Sequence, residues 1–149
     1  MKKLKLEELG RISVDEFKDS QKMPVCIVLD NIRSLHNVGS AFRTSDAFKI
    51  EKLFLTGITG TPPHREIEKT ALGSTQSVTW EHVDKTETVL SQLQQQGYQI
   101  VIIEQTSESI PLNHFSPKIG VKYCLVFGNE VNGVSEEAIP FGDVAIEIP

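Results

Sequence analysis

The apolar residues of this chain fall into short runs set between stretches of helical spacing. Residues 24–29 (Pro-Val-Cys-Ile-Val-Leu), 98–103 (Tyr-Gln-Ile-Val-Ile-Ile) and 123–127 (Tyr-Cys-Leu-Val-Phe) are almost unbroken. They are too short for ordinary helices and rich in β-branched residues, which predicts strands buried on both faces. Pro24 opens the first run, where its missing N–H costs no ladder bond. Residues 50–55 form a further strand closed by Thr56 and Gly57, and residues 77–81 are short and β-prone without clear alternation. Helical signals lie between the strands. Ser13 and Glu16 have capping-box spacing for a short helix reaching about Ser20. Asn37 reads as the N-cap of a second helix, whose apolar stripe is Val38, Ala41 and Phe42. Residues 65–72 before Gly73 are helical in pattern. So are residues 85–96, with Val89, Leu90 and Leu93 inward and Gly97 at the C′ position. A short helix is expected at 135–139, ahead of a last apolar segment at 143–149, while residues 57–64 and 104–119 read as loops. Strands alternating with helices predict an α/β fold: a mostly parallel sheet with helices on both faces, in a single domain.

Three polar stretches follow three of the strands: residues 30–43, 104–106 and 128–135. In a parallel sheet all three leave from one edge, where α/β proteins place ligands. The first offers Asn37, Gly39 and Arg43. Gly39 permits close backbone approach, Arg43 presents a planar fork suited to phosphate or ribose oxygens, and Asp46 stands three residues on, within reach of its guanidinium. From spacing alone these residues serve equally as a helix cap, a packing contact and a surface cation. Gly128-Asn129-Glu130-Val131-Asn132-Gly133 suits either the wrapping of a small ligand with backbone groups or a plain turn. It is neither a G-x-G-x-x-G dinucleotide fingerprint nor a phosphate-binding loop.

Charge changes the picture modestly. The 149 residues carry a net charge of −5, which argues mildly against nucleic acid as a partner. The distribution is uneven: residues 1–69 hold 12 Lys/Arg against 10 Asp/Glu, and residues 70–149 hold 3 against 10. A positive face on the N-terminal half is therefore compatible with the composition. Cys26 and Cys124 each lie inside an apolar run and read as buried thiols. The four histidines are scattered without metal-ligand spacing, and no G-x-S-x-G elbow is present, so neither metal catalysis nor a Ser/His/Asp hydrolase is indicated. No apolar run approaches the ~20 residues of a membrane span, the N-terminus lacks a signal core, and the expected location is cytoplasmic.

Several stretches together resemble a known family. "NIRSLHNVGSAFRTSDAF" (residues 31–48), containing Asn37-x-Gly39-x-x-x-Arg43, is similar to the first motif of the SpoU (TrmH-like) RNA 2′-O-ribose methyltransferases of the SPOUT superfamily. "LVFGNEVNGVS" (residues 125–135) resembles the second motif and "IEIP" (residues 146–149) the opening of the third, while "TPPHREIEKTALGS" (residues 61–74) also matches a stretch common in the family. The resemblance implies a six-stranded parallel sheet with a C-terminal trefoil knot, S-adenosylmethionine as cofactor, and a homodimer acting on tRNA or rRNA. Backbone groups of Gly128 and Ile148 would contact the cofactor, with Glu104, Gln105 and Thr106 lining its other side. Arg43 would work near the cofactor held by the partner subunit, organised by Asn37 and Glu130, with Arg33 and His36 also meeting RNA; no metal is implied. An arginine resists deprotonation, so its expected role is to orient the ribose and stabilise developing charge rather than to take a proton. The family pattern continues beyond Ile-Pro. Residues 1–23 are thus expected to be an extension, and residues 24–149 a methyltransferase domain lacking its C-terminal end and the knot segment there. Only about 23 residues precede the first strand, which leans towards tRNA as substrate and leaves rRNA open. The competing expectation is a catalytically degenerate relative that binds RNA.

Overall fold

Alternate residues of the strand at 23–30 face two separate apolar layers, and this arrangement sets the architecture. The computed structural model describes residues 1–149. Its elements in chain order are α1 (Val14–Asp19), β1 (Met23–Asp30), α2 (Leu35–Ala47), β2 (Ile50–Thr56), α3 (Arg65–Ala71), β3 (Trp80–Val83), α4 (Thr86–Gln95), β4 (Gln99–Ile103), β5 (Ile110–Pro111), β6 (Tyr123–Phe127) and β7 (Val144–Glu147). On one face Cys26 and Val28 pack with Ile100, Ile102, Cys124 and Val126 under Val89, Leu90 and Leu93 of α4. On the other, Ile27, Leu29, Leu53 and Leu55 pack under Val38 and Phe42 of α2 and Ile67 and Ala71 of α3. Each such side chain contributes about 1.5–3 kcal/mol when removed from water.

The sheet order is β3-β2-β1-β6-β4-β7-β5, and every pairing is parallel. From β1 the chain builds outward through β2 to β3, then crosses by way of α4 to β4, leaving one place beside β1 that β6 later fills. The carboxyl ends of β1, β6 and β4 are therefore neighbours at the point where the winding reverses, a position that favours ligand sites. No helix is long and apolar enough to cross a membrane.

Four expectations are corrected. The sheet has seven strands rather than six; the addition is two-residue β5, inside a segment whose polar residues hide any period. The ambiguous stretch forms β3 from Trp80 rather than Ser77, an edge strand with Glu81 and His82 exposed. The second helix starts at Leu35, capped by Ser34, whose Oγ accepts from the N–H of Asn37 at 3.1 Å. Residues 136–138 form a turn and residues 139–141 a 3-10 turn instead of a helix, since Pro140 would clash with the carbonyl four residues back. The first helix is capped as expected, Ser13 Oγ accepting from the N–H of Glu16 at 3.1 Å.

Gly39 is needed for packing between helices rather than for a ligand. A Cβ there would collide with Thr70 Oγ1 and Ile67 O of α3, so α2 and α3 touch through backbone. Helix α1 is docked as well. Phe17 is buried, and Lys22 Nζ donates to the carbonyls of Phe17, Lys18 and Ser20 while lying 4.7 Å from the Phe17 ring centroid.

Candidate active site

The three polar stretches meet at the shared edge, joined by three carboxylates. Asp30, the last residue of β1, is fully buried. Its Oδ2 accepts from the N–H of Ser135 at 2.7 Å, and its Oδ1 accepts from Thr86 Oγ at 2.6 Å and from Asn31 Nδ2 at 3.1 Å. Thr86 Oγ1 lies 2.5 Å from Thr56 Oγ1, which also bonds the carbonyl of Leu29. A buried carboxylate is tolerable only when so partnered. It ties the start of α4 and the end of β1 to the far end of the 128–135 loop. In the sequence Asp30 stands only as the head of the polar stretch 30–43, with no role of its own. The available signal was a lone carboxylate closing an apolar run.

Glu130 makes the second tie. Its carboxylate accepts from the N–H groups of Arg33 at 2.9 Å and Ser34 at 3.0 Å, and from Asn37 Nδ2 at 3.2 Å. Asn37 therefore uses its side chain across the edge rather than to cap its own helix. Partial burial raises the Glu130 pKa, but the donors at Arg33, Ser34, its own backbone and Asn37 outweigh it and hold the group at about 2. The ionised form is the one the fold stabilises. Because the folded value lies below the ordinary 4.5, this stabilisation is complete above about pH 4.5 and is lost as pH falls through about 2. An NMR titration should show the Glu130 carboxyl midpoint near 2, with the Arg33 and Ser34 amide shifts following it; a midpoint near 4.5 would contradict the tie.

Glu104 makes the third. Its Oε2 accepts from the N–H of Val134 at 2.9 Å and its Oε1 from the N–H of Gln105 at 2.9 Å. Gly133 has a φ of +70°, and a Cβ there would strike the Glu104 carboxylate. Gly128 is equally constrained, since a Cβ would strike the backbone of Gly133 and Val134. The loop closes on itself through paired bonds of 2.9 Å between Asn129 and Gly133, and Asn129 Nδ2 donates to the carbonyl of Asn31 at 2.7 Å.

The expected cofactor residues separate into neighbouring groups. Glu104, Gln105 and Ile148 line a cavity of about 240 Å³ with Ile103 and Glu147. Thr106 opens onto an adjoining cavity of about 370 Å³ beside Ser107 and Gly142. Gly128 lines a groove of about 410 Å³ with Asn37, Glu130 and Phe127. Gly128 and Ile148 make no backbone hydrogen bond, leaving their N–H and C=O groups available.

The basic residues are less convergent. Arg33 is exposed at the edge. His36 is tied to α3, its Nε2 standing 2.7 Å from Glu66 Oε2. Helix α2 runs back along the sheet, so Arg43 lies about 9 Å along the axis from Asn37 and on a different side of the helix. The structure thus joins Asn37 to Glu130 but does not bring Arg43 to them within one chain. Arg43 is half exposed, and its Nη1 is 3.9 Å from Asp46 Oδ2, a pairing that adds little stability. Asp46 is held more closely by Ser77 Oγ, which donates to it at 2.6 Å. The two cysteines carry no chemistry here. Both are buried, and burial pushes the Cys26 thiol up to about 11.

With this geometry in view, comparison with known proteins is informative. Residues 24–149 match the SpoU rRNA Methylase family. The tRNA (guanosine(18)-2′-O)-methyltransferase of Aquifex aeolicus is 28% identical over 137 residues, covering 90% of this chain and 62% of that protein. The chain therefore spans less than two thirds of that relative's length. The crystal structure of the A. aeolicus TrmH/SpoU tRNA modifying enzyme superposes with a TM-score of 0.76 at 29% identity, covering 91% of this chain and 67% of the other. An AdoMet-bound rRNA methyltransferase from Sinorhizobium meliloti shares the fold with a TM-score of 0.78 at 24% identity, over 89% and 51% of the two chains. A match running from Pro24 at the start of β1 to Pro149 places this chain in the SpoU rRNA Methylase family.

Proposed function

We propose that this chain forms part of an S-adenosylmethionine-dependent enzyme that methylates the ribose 2′-hydroxyl of a tRNA or rRNA nucleotide, acting as a homodimer. The observation that carries the reading is the locking of the 30–43, 104–106 and 128–135 stretches onto one edge by Asp30, Glu104 and Glu130. Such an edge holds backbone groups in fixed positions, which is what recognition of a small polar ligand needs. The residues suit the cofactor chemically. An adenine edge carries an amino donor beside a ring-nitrogen acceptor, and Gly128 and Ile148 each keep a C=O and an N–H free of backbone bonds, groups of the two kinds such an edge needs. When bound, S-adenosylmethionine supplies an electrophilic methyl group on a sulfonium.

The chain's own residues divide the remaining work. Glu104 uses both carboxylate oxygens on protein N–H groups, so it shapes the pocket wall through Val134 and Gln105. Glu130, held at about 2, is a poor proton acceptor at neutral pH. With Asn37 it positions the start of α2. Arg43 presents five donors to orient the ribose and its phosphate and to stabilise negative charge developing on the oxygen. Because Arg43 lies two turns from its own loop edge, it is assigned to the edge of a second copy. The net charge of −5 is offset locally by Arg33 just before α2, Arg43 on it and Lys49 just after it. The test is calorimetry with S-adenosylmethionine combined with methyl transfer to bulk tRNA and to rRNA. Cofactor binding with ribose methylation of one of them is expected. Cofactor-independent RNA binding without transfer would favour the degenerate relative, and binding of neither would overturn both.

A further inference from the structure

A cavity of about 430 Å³ lies beside Arg43 on the side away from the carboxyl edge. Its size falls in the range of about 300–1,000 Å³ usual for small-ligand sites. One wall is residues 11–17, from the segment that precedes the first strand; the others come from the end of α2 and from residues 72–77. The wall is a built element. Phe17 is buried, Ser13 caps α1, and Lys22 clamps the α1 carboxyl end.

Three cations face this cavity, Arg11, Arg43 and Lys49, against the single carboxylate of Asp46. Asp46 is already engaged by Ser77, and its contact with Arg43 is 3.9 Å long. Arg11 and Lys49 take part in no ion pair and no side-chain hydrogen bond. In a chain of net charge −5, two cations left without counter-ions around one cavity form a local concentration of positive charge suited to an anion.

We propose that this cavity receives an RNA phosphodiester flanking the target nucleotide, held by Arg11 and Lys49, with Arg43 between it and the reacting ribose. The segment 11–17 is then a substrate wall and Arg11 a positioning residue. This rests on the reading of the chain as an RNA-modifying protein. A free phosphate or mononucleotide offers the same chemistry, and the experiment separates the sources.

The test is binding of fluorescent bulk tRNA and of a fluorescent single-stranded RNA across a salt series. Each phosphate contact contributes about 0.7–0.9 to the slope of log affinity against log salt. Arg11→Ala and Lys49→Ala should each weaken binding of both RNAs and lower the slope by about 1. Arg11→Lys should retain the slope, and Lys118→Ala, an exposed cation outside the cavity, should leave affinity and slope unchanged. Inorganic phosphate at matched ionic strength should not displace RNA. If Arg11→Ala and Lys49→Ala bind as wild type while wild type shows a salt-dependent affinity, the cavity proposal falls and the family reading stands. If inorganic phosphate binds wild type and not Arg11→Ala while neither variant changes RNA affinity, the cavity is a free-anion site and the RNA assignment is overturned. If wild type binds neither RNA while binding S-adenosylmethionine, both the cavity proposal and the choice of substrate are overturned.

Discussion

Arg43→Ala is expected to lower ribose methylation by about 10²–10³-fold while leaving S-adenosylmethionine affinity nearly unchanged. The expectation follows from how little the side chain does for the fold. Arg43 is half exposed, and its one ion-pair contact, Asp46, is 3.9 Å away and bonded to Ser77 instead. Truncation therefore leaves no hole in either apolar core and strands no buried partner. On the proposed reading, what is lost is a donor to charge that develops on the ribose oxygen, together with part of the alignment of that oxygen with the methyl group. Single-turnover rates with calorimetry on the same preparations separate the two effects. A variant with the wild-type rate would remove Arg43 from the reaction, and one with equal losses in rate and cofactor affinity would make it a structural residue. Arg43→Lys keeps the charge but loses the planar fork and should recover only part of the rate.

Asp30→Ala should have the largest effect on stability among residues of the carboxyl edge. The carboxylate is fully buried and satisfies the Ser135 N–H, Thr86 hydroxyl and Asn31 amide. Its removal leaves the buried Thr86 hydroxyl and the half-buried Ser135 N–H and Asn31 amide without their acceptor, at about 1–3 kcal/mol for a fully buried donor and less where water or a shifted side chain replaces the oxygen. A net loss of about 3 kcal/mol lowers Tm by roughly 6–12 °C for a domain of this size. The 128–135 loop is tied to β1 through that carboxylate, so S-adenosylmethionine binding should weaken with it. Asp30→Asn keeps one acceptor and should lose less. Thermal denaturation followed by calorimetry checks both effects, and a Tm within about 1 °C of wild type would contradict the network's role, since a single kcal/mol moves Tm by more than that.

What the sequence disclosed follows from which forces act locally. β6 was readable to the residue because Tyr123–Phe127 is an apolar run bounded by polar residues. The capping Ser13 and the Gly97 turn were readable because a cap uses neighbours within three or four positions. The second helix shows the limit. Ser34 and Asn37 are both good caps, and the choice between them is made by Glu130, some ninety residues away, which engages the Asn37 side chain. β5 carries two residues and no period of its own; its pairing with β7 defines it. At the site, the convergence of three loops was legible from strand order in a parallel sheet. Glu104 and Glu130 stood out only through the family resemblance and Asp30 not at all, because most of the donors they lock are backbone N–H groups, which leave no trace in residue identity. The separation of Arg43 from Asn37 was within reach, since six residues along a helix place two side chains on different sides.

That separation supplies the most direct test of the account, in which the loop edge of one copy acts with Arg43 of another. Two variants, each inactive, are purified and then mixed under conditions that exchange subunits. Arg43→Ala keeps an intact edge, and Gly128→Val disables the edge by forcing a side chain into Gly133 and Val134. If each site draws on both copies, every mixed dimer holds one intact site, and random exchange restores about a quarter of wild-type methylation. If the mixture stays at the level of the separate variants while mixed dimers are shown to form, Arg43 serves the edge of its own chain and the two-copy site is wrong.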